Sequence, residues 1–301
     1  MRSSFRKTTV MSLLKSLPLE ASESDRGLPL SPMLQLLIAL RFYGAGAFQI
    51  VTGDIVNIFQ PTVCRVIERV SRVLAPSLFP RLVKFLESDA VFDQKMLEFG
   101  QIGNFPGVSG CTDCTHVKTK GPGGPKGEAY RNRKGFFSRN VQVSSDQFSN
   151  FFYLVAGWSG SVHDSRTFDD SRARVLYEHR RVPGLLLGVA GYACMSFLLL
   201  PLSSPGAAHS PEGRYVLVPH LKKKKKNSEE RAFGVFQKRF LCLNMRLQYK
   251  EERSATIITA CAALTRLRSE PCPPAPPPVT SPPTTPEAPH PAFPSRASRH
   301  R

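Results

Sequence analysis

The sequence predicts an α/β protein, a mixed sheet with flanking helices, preceded by a helical segment of helix-turn-helix type. Three observations carry that prediction. Apolar residues recur at helical spacing between residues 31 and 99, the mark of amphipathic helices. From residue 108 the period changes, and runs rich in Val, Phe, Tyr and Thr, broken by Gly, Asp and Asn, read as strands. Past residue 160 helical stretches mix with a further strand-like apolar run. The 301 residues suffice for one substantial core and a smaller attached unit. The expected divisions are a basic flexible lead (1–28), a helix-turn-helix-like region (29–100), a sheet domain (107–268) and a Pro-rich tail (269–301).

Within the lead, Met1 to Lys15 is basic and Ser-rich, but Glu20, Glu23 and Asp25 follow quickly, which speaks against a mitochondrial transit peptide. Ser31-Pro32 then offers a helix start, Ser as N-cap and Pro in the first turn, ahead of the apolar run Met33 to Leu40, and Gly44 and Gly46 end it. A short middle element, Phe48 to Asp54, leads through Asn57 to Gln60-Pro61. Beyond it Val63, Val66, Ile67, Val70, Val73 and Leu74 fall on one side of a helix, while Arg65, Arg69 and Arg72 gather on the other. Three helices with tight turns and an arginine-faced last helix match a helix-turn-helix whose last helix would enter a DNA major groove. A solvated face on an ordinary bundle explains the same arginines.

A connecting helical stretch spans roughly Arg81 to Phe99. Strands are expected over Val108 to Val117, Asn140 to Ser145 and Phe151 to Trp158, then a helix over Asp164 to Tyr177. Leu185 to Val189 reads as a strand buried on both faces, followed by a turn and a short helix. The run to Leu202 approaches membrane-helix length, but Gly188, Gly191, Tyr192, Ser196 and Pro201 interrupt it, so no membrane segment is expected. Glu229 to Leu243 is helical, and an Ala-, Ile- and Leu-rich helix over Ser254 to Leu267 caps the core. From Pro271 onward proline removes the donors that a packed element needs.

The 41 Lys and Arg against 23 Asp and Glu leave a formal charge of +18, which favours a polyanionic partner, nucleic acid ahead of an anionic membrane. Seven cysteines without pairing-like spacing read as free thiols in a reducing compartment.

Asp113 lies inside the strand-like run Cys111-Thr112-Asp113-Cys114-Thr115-His116-Val117, where an acid among strand formers needs a reason. Asp164 follows a later strand, in Ser161-Val162-His163-Asp164-Ser165-Arg166, and Glu230 stands at a late helix start. Acids on a first strand, after a later strand and on a late helix form the layout of a DDE-type site. Hard divalent cations prefer carboxylate oxygens, and two such ions can activate water or a 3′ hydroxyl for in-line phosphoryl transfer. Any one of these acids alone reads better as a cap or turn residue; the three in order reverse that reading.

With these motifs go Leu40-Arg41-Phe42-Tyr43, Gly188 with Gly191-Tyr192, Glu230-Arg231-Ala232-Phe233-Gly234 and Leu247-Gln248-Tyr249. Together, over about residues 30 to 268, they resemble the Harbinger transposase-derived nuclease family. The resemblance implies an RNase H-like fold, nuclease activity with Mg²⁺ or Mn²⁺, DNA as partner, a Myb-like nuclear-import partner protein, and a place in nucleus and cytoplasm. It also implies that Asp113, Asp164 and Glu230 are metal-binding and catalytic. The chain departs from the family where a further metal-binding aspartate belongs between two glycines: the run here is Gly188-Val189-Ala190-Gly191-Tyr192. The expected function is therefore a weakened metal-dependent endonuclease, the alternative a catalytically inactive DNA- or partner-binding protein on the same fold.

Other features tempt less. Cys111 and Cys114 lack the second pair that zinc would need. The run Gly121 to Gly127 lacks a phosphate loop's Gly-Lys-Ser or Gly-Lys-Thr ending. Arg131, Arg133 and Lys134 beside Tyr130 could grip a DNA backbone or form a solvated hairpin. Lys222 to Lys226 reads equally as a nuclear-import signal, a phosphate patch or a solvated loop. His116 and His163, beside the acids, are candidates for positioning substrate or for ordinary turn and core roles.

Overall fold

The computed structural model describes residues 5–21, 29–46, 58–85, 88–103, 107–189, 191–200 and 232–267. Among these the chain runs α1 (Lys7–Ser16), α2 (Pro32–Ala45), α3 (Gln60–Leu82), α4 (Asp89–Gly103), β1 (Val108–Lys118), β2 (Ser138–Ser145) and β3 (Phe151–Ser159). Then follow α5 (Asp164–Asp169), α6 (Arg172–Glu178), β4 (Leu185–Leu187), β5 (Leu198–Leu199), α7 over residues 232–239, α8 (Leu241–Asn244) and α9 (Glu251–Arg266).

Local sequence explains where α2 begins and ends. Ser31 Oγ accepts the Leu34 N–H, Pro32 fills the first turn, and Gly46, at a left-handed φ of 58°, donates its N–H to Phe42 O. In α3, Val63, Val66, Ile67, Val70 and Leu74 are buried while Arg65, Arg69 and Arg72 lie on the opposite, solvent-facing side. This helix continues through Pro76 and Pro80, both away from its buried stripe, where carbonyls deprived of an N–H can turn to water. The connecting helix expected from Arg81 to Phe99 is thus the end of α3 plus a separate α4. The middle element expected over Phe48 to Asp54 lies outside the described residues, as do Lys222 to Lys226 and the Pro-rich tail.

Part of the lead expected to be loose is helical. In α1, Leu13 is buried and Val10 and Leu14 pack against the main core, because their spacing puts them on one face. Gln35 Nε2 then ties the following chain to α2, donating to Glu20 O and Leu30 O, both at 2.9 Å.

The sheet has the order β3-β2-β1-β4-β5. β1, β2 and β3 are antiparallel neighbours, whereas β4 runs parallel to β1 and β5 parallel to β4; this is an RNase H-like mixed sheet. One face contributes Val117, Val141, Val143 and Leu154 to a core shared with α1, α2, α3 and α9, and α9 packs on both α3 and β3. The opposite side holds a second cluster, with Phe152 and Leu186 beneath Phe168, Tyr177, Tyr192 and Phe197. Packing there is close: a Cβ on Gly110 would lie 2.7 Å from Phe152 Cζ.

Three expected elements differ in detail. The helix expected over Asp164 to Tyr177 is two, since Ser171 Oγ accepts the Arg174 N–H and starts α6 afresh. The short helix expected after β4 is β5, pairing Leu198 with Leu186. The described part of the helix expected over Glu229 to Leu243 breaks at Phe240, whose side chain is buried with those of Cys242 and Leu243. No helix among the described residues is long and apolar enough to cross a membrane.

Candidate active site

The first acid sits at an open edge of the central strand. The ladder between β1 and β4 ends at Cys111 and Leu187, so β1 is not paired with β4 farther along. There Asp113 Oδ1 accepts the Cys114 N–H at 2.7 Å. Residues directly opposite in an antiparallel pair share a face. Asp113, opposite Val143, therefore belongs to the main-core side, and Cys114, opposite Gln142, to the side covered by α5.

Asp164 opens α5, just after β3, with His163 as N-cap accepting the Ser165 N–H. Asn140 on β2, fully buried, orients it: Nδ2 donates to Asp164 Oδ1 at 2.8 Å and to Val162 O at 3.0 Å. Both neighbours can only accept, which settles the direction of the Asn140 amide.

Cys114 and Tyr192, whose Sγ and Oη are 3.2 Å apart, feel the charge of both acids. Burial pushes the Cys114 thiol well up, and the charges of Asp164 and Asp113 push it further. The Tyr192 phenol is likewise raised by burial, then by Cys114 and both acids. Both groups thus keep their protons. The Cys114 thiol bridges Asp164 and Tyr192 by hydrogen bonds.

Val189 follows β4. Its side chain packs, half-buried, against the cluster containing Phe168 and Tyr192. Farther along the same loop, a Cβ on Gly191 would lie 3.8 Å from Asp164 Oδ2. Position 189 is thus filled by an apolar side chain. Glu230 lies outside the described residues. Asp113 and Asp164 fit a hard divalent cation in kind, but among the described residues no three His, Cys, Asp or Glu are grouped to hold one.

His116 stands two residues beyond Cys114, its Nδ1 3.1 Å from Ser138 Oγ, which accepts from Asn132 Nδ2 at 3.0 Å. Burial, with the charges of Arg133 and Lys134, holds its imidazole below the ordinary value despite the pull of Asp164. Of the basic hairpin residues, Arg133 and Lys134 are exposed beside this histidine. Arg131 is engaged differently: it bonds both carboxylate oxygens of Glu128 and Gly135 O, and lies over the Phe137 ring at 4.6 Å. On α3, Arg65 donates to Thr62 Oγ1, and Arg72 pairs at 2.8 Å with Glu68, which also pairs with Arg253.

The six cysteines among the described residues form no disulfide. Asn140, Cys114 and Tyr192 join the site without having been expected there. For Asn140 a signal existed, since asparagine is depleted in strands and this one sits inside β2.

The DDE superfamily endonuclease profile matches residues 112–266. Over 253 residues the chain is 30% identical to the Homo sapiens protein named "Putative nuclease HARBI1", covering 82% of this chain and 70% of that protein. It is 25% identical over 227 residues to "Protein ALP1-like" of Arabidopsis thaliana, covering 70% of this chain and 52% of that one. A chain of the "Mos1 transposase paired-end complex with left transposon end" aligns at 13% identity over 82% of this chain and 80% of that one, with a TM-score of 0.24.

Proposed function

The chain belongs to the Harbinger transposase-derived nucleases of the DDE superfamily, and from that premise we propose that it is a divalent-metal-dependent endonuclease acting on DNA, weakened at position 189. The observation that supports this reading is geometric: Asn140 on β2 holds Asp164 at 2.8 Å, and Asp113 on β1 is bonded to the N–H of Cys114, whose thiol lies 3.2 Å from Tyr192. Asp113, Asp164 and Glu230 would hold Mg²⁺ or Mn²⁺, which supplies an activated water and neutralises charge on the scissile phosphate.

The remaining roles belong to the chain's own groups. Asn140 and Cys114 orient Asp164, and the neutral His116 offers a hydrogen bond at the rim. Arg133 and Lys134 hold a DNA backbone near the acids, while Arg65, Arg69 and Arg72 on α3 contact it through phosphates. Arg131 serves chiefly by keeping its hairpin closed. We further infer a nuclear and cytoplasmic location and a Myb-like nuclear-import partner, which rest on the family resemblance.

One observation favours a second reading, a catalytically inactive DNA- or partner-binding protein: Val189 puts an isopropyl group where an oxygen ligand belongs, packed into the apolar cluster. Nicking of plasmid DNA in Mg²⁺ and in Mn²⁺ separates the two. If the native chain nicks and Asp113→Asn does not, the endonuclease reading stands. If Val189→Asp nicks and the native chain does not, the protein is a binding scaffold.

A further inference from the structure

We propose that Asn140 is the positioning residue of Asp164, setting which carboxylate oxygen faces the acid site. The proposal rests on the reading of Asp164 as a metal-binding carboxylate. Its basis is geometric. Asn140 is fully buried on the central part of the sheet, and one amide nitrogen reaches both Asp164 Oδ1 at 2.8 Å and Val162 O at 3.0 Å. These bonds fix the side chain of Asp164 and the turn that delivers it. With Oδ1 engaged, Oδ2 is the oxygen turned toward the loop at Gly191.

A purely structural asparagine would satisfy its whole amide. Here Asn140 Oδ1 is buried with no hydrogen-bond partner, and the same is true of both polar atoms of Gln142, two residues along on the same face. Leaving such atoms unpaired is unfavourable, so the stabilisation that Asn140 brings is concentrated on its nitrogen and therefore on Asp164. A carboxylate whose orientation is fixed before a cation arrives loses less freedom on binding it, and outer partners of this kind commonly change metal affinity about 10- to 100-fold.

The test uses the full chain and measures Mn²⁺ binding by the electron paramagnetic resonance signal of free Mn²⁺, beside the melting temperature. Asn140→Ala should weaken Mn²⁺ binding about 10-fold or more, and Asp164→Asn should weaken it as well. The control is Val141→Ala, the neighbouring residue on the opposite face of β2, buried in the main core. It should lower the melting temperature while Mn²⁺ binding stays native, whereas Asn140→Ala should weaken Mn²⁺ binding as well, a separation that a merely structural role of Asn140 would not produce. If Asn140→Ala does not fold, Asn140→Ser, which keeps a shorter donor, is set against the same control.

Two results overturn the proposal by itself: native Mn²⁺ affinity in Asn140→Ala while Asp164→Asn has lost it, or an equal loss of Mn²⁺ affinity in Val141→Ala. Native affinity in Asp164→Asn would instead overturn the metal-binding reading of Asp164, and the proposal with it.

Discussion

Restoring a carboxylate by Val189→Asp should make the protein's stability depend on a divalent cation, with opposite signs in its absence and presence. Full burial of an aliphatic side chain contributes roughly 1.5–3 kcal/mol, so losing the half-buried Val189 side chain costs about 1 kcal/mol. A further carboxylate on the loop that approaches Asp164 adds like-charge repulsion. In EDTA the variant should therefore melt a few degrees below the native chain. A cation that binds only the folded state at about 100 times its Kd adds about 2.7 kcal/mol. At roughly 2–4 °C per kcal/mol for a fold of this size, Val189→Asp should melt about 5–11 °C higher in saturating Mn²⁺ than in EDTA. The native chain, with one ligand fewer, should gain less than half as much. Trp158, the single tryptophan, lies opposite Asn140 in the sheet and gives a fluorescence readout to set beside calorimetry. Equal melting temperatures for Val189→Asp in EDTA and in Mn²⁺ would refute the reading of position 189 as a lost metal ligand.

Arg139 is 5% exposed and donates to Glu251 O, Ala156 O and Gly157 O; Arg139→Met should cost about 3 kcal/mol or more by stranding three carbonyls, read as a lower denaturant midpoint. His116, with its folded pKa depressed below the ordinary 6.5, is protonated first in the unfolded chain. Its contribution is present in full above that value and is lost as pH falls below it, so His116→Gln should flatten the decline of melting temperature under pH 6.5. For DNA binding, Arg133→Ala with Lys134→Ala should make the log–log salt dependence shallower by about 0.9 for each phosphate that the variant no longer neutralises. An unchanged slope in a filter-binding or anisotropy titration would remove this hairpin from the DNA interface.

How far the sequence reached depended on whether the deciding interaction was local. Ser31, Pro32 and Gly46 announce α2 because capping is chemistry within a few residues. The valine periodicity of α3 survives two prolines because both fall away from its buried stripe. Asp113 is readable because an acid inside a strand contradicts its neighbours, whereas Asp164, at a helix start where an acid is ordinary, is readable only in order with Asp113. What escapes depends on distant partners. The burial of α1 comes from α2, the break after Asp169 comes from the capping of α6, and β5 exists because β4 leaves a parallel edge for Leu198. Asn140 becomes meaningful only once the turn at Val162 is folded back over β2.

The basic helix and the acids also stand in a set relation that no linear reading supplies. α9 lies between them, packing on α3 at one side and β3 at the other. Ile257, Ile258 and Cys261 of α9 belong to the core that contains Ile67 and Leu74 of α3 and Val141 and Val143 of β2. Glu68 of α3 adds a bond to Arg253 of α9 at 2.8 Å. Swinging α3 away from the sheet would expose side chains that are now fully buried, at about 25 cal/mol for each Å² of apolar surface. A duplex held by Arg65 and Arg69 would therefore meet the sheet in a register set by this shared core rather than by a linker. The pairing of Glu68 with Arg72 reduces the free charge at mid-helix, so Arg65→Ala or Arg69→Ala should weaken DNA binding more than Arg72→Ala.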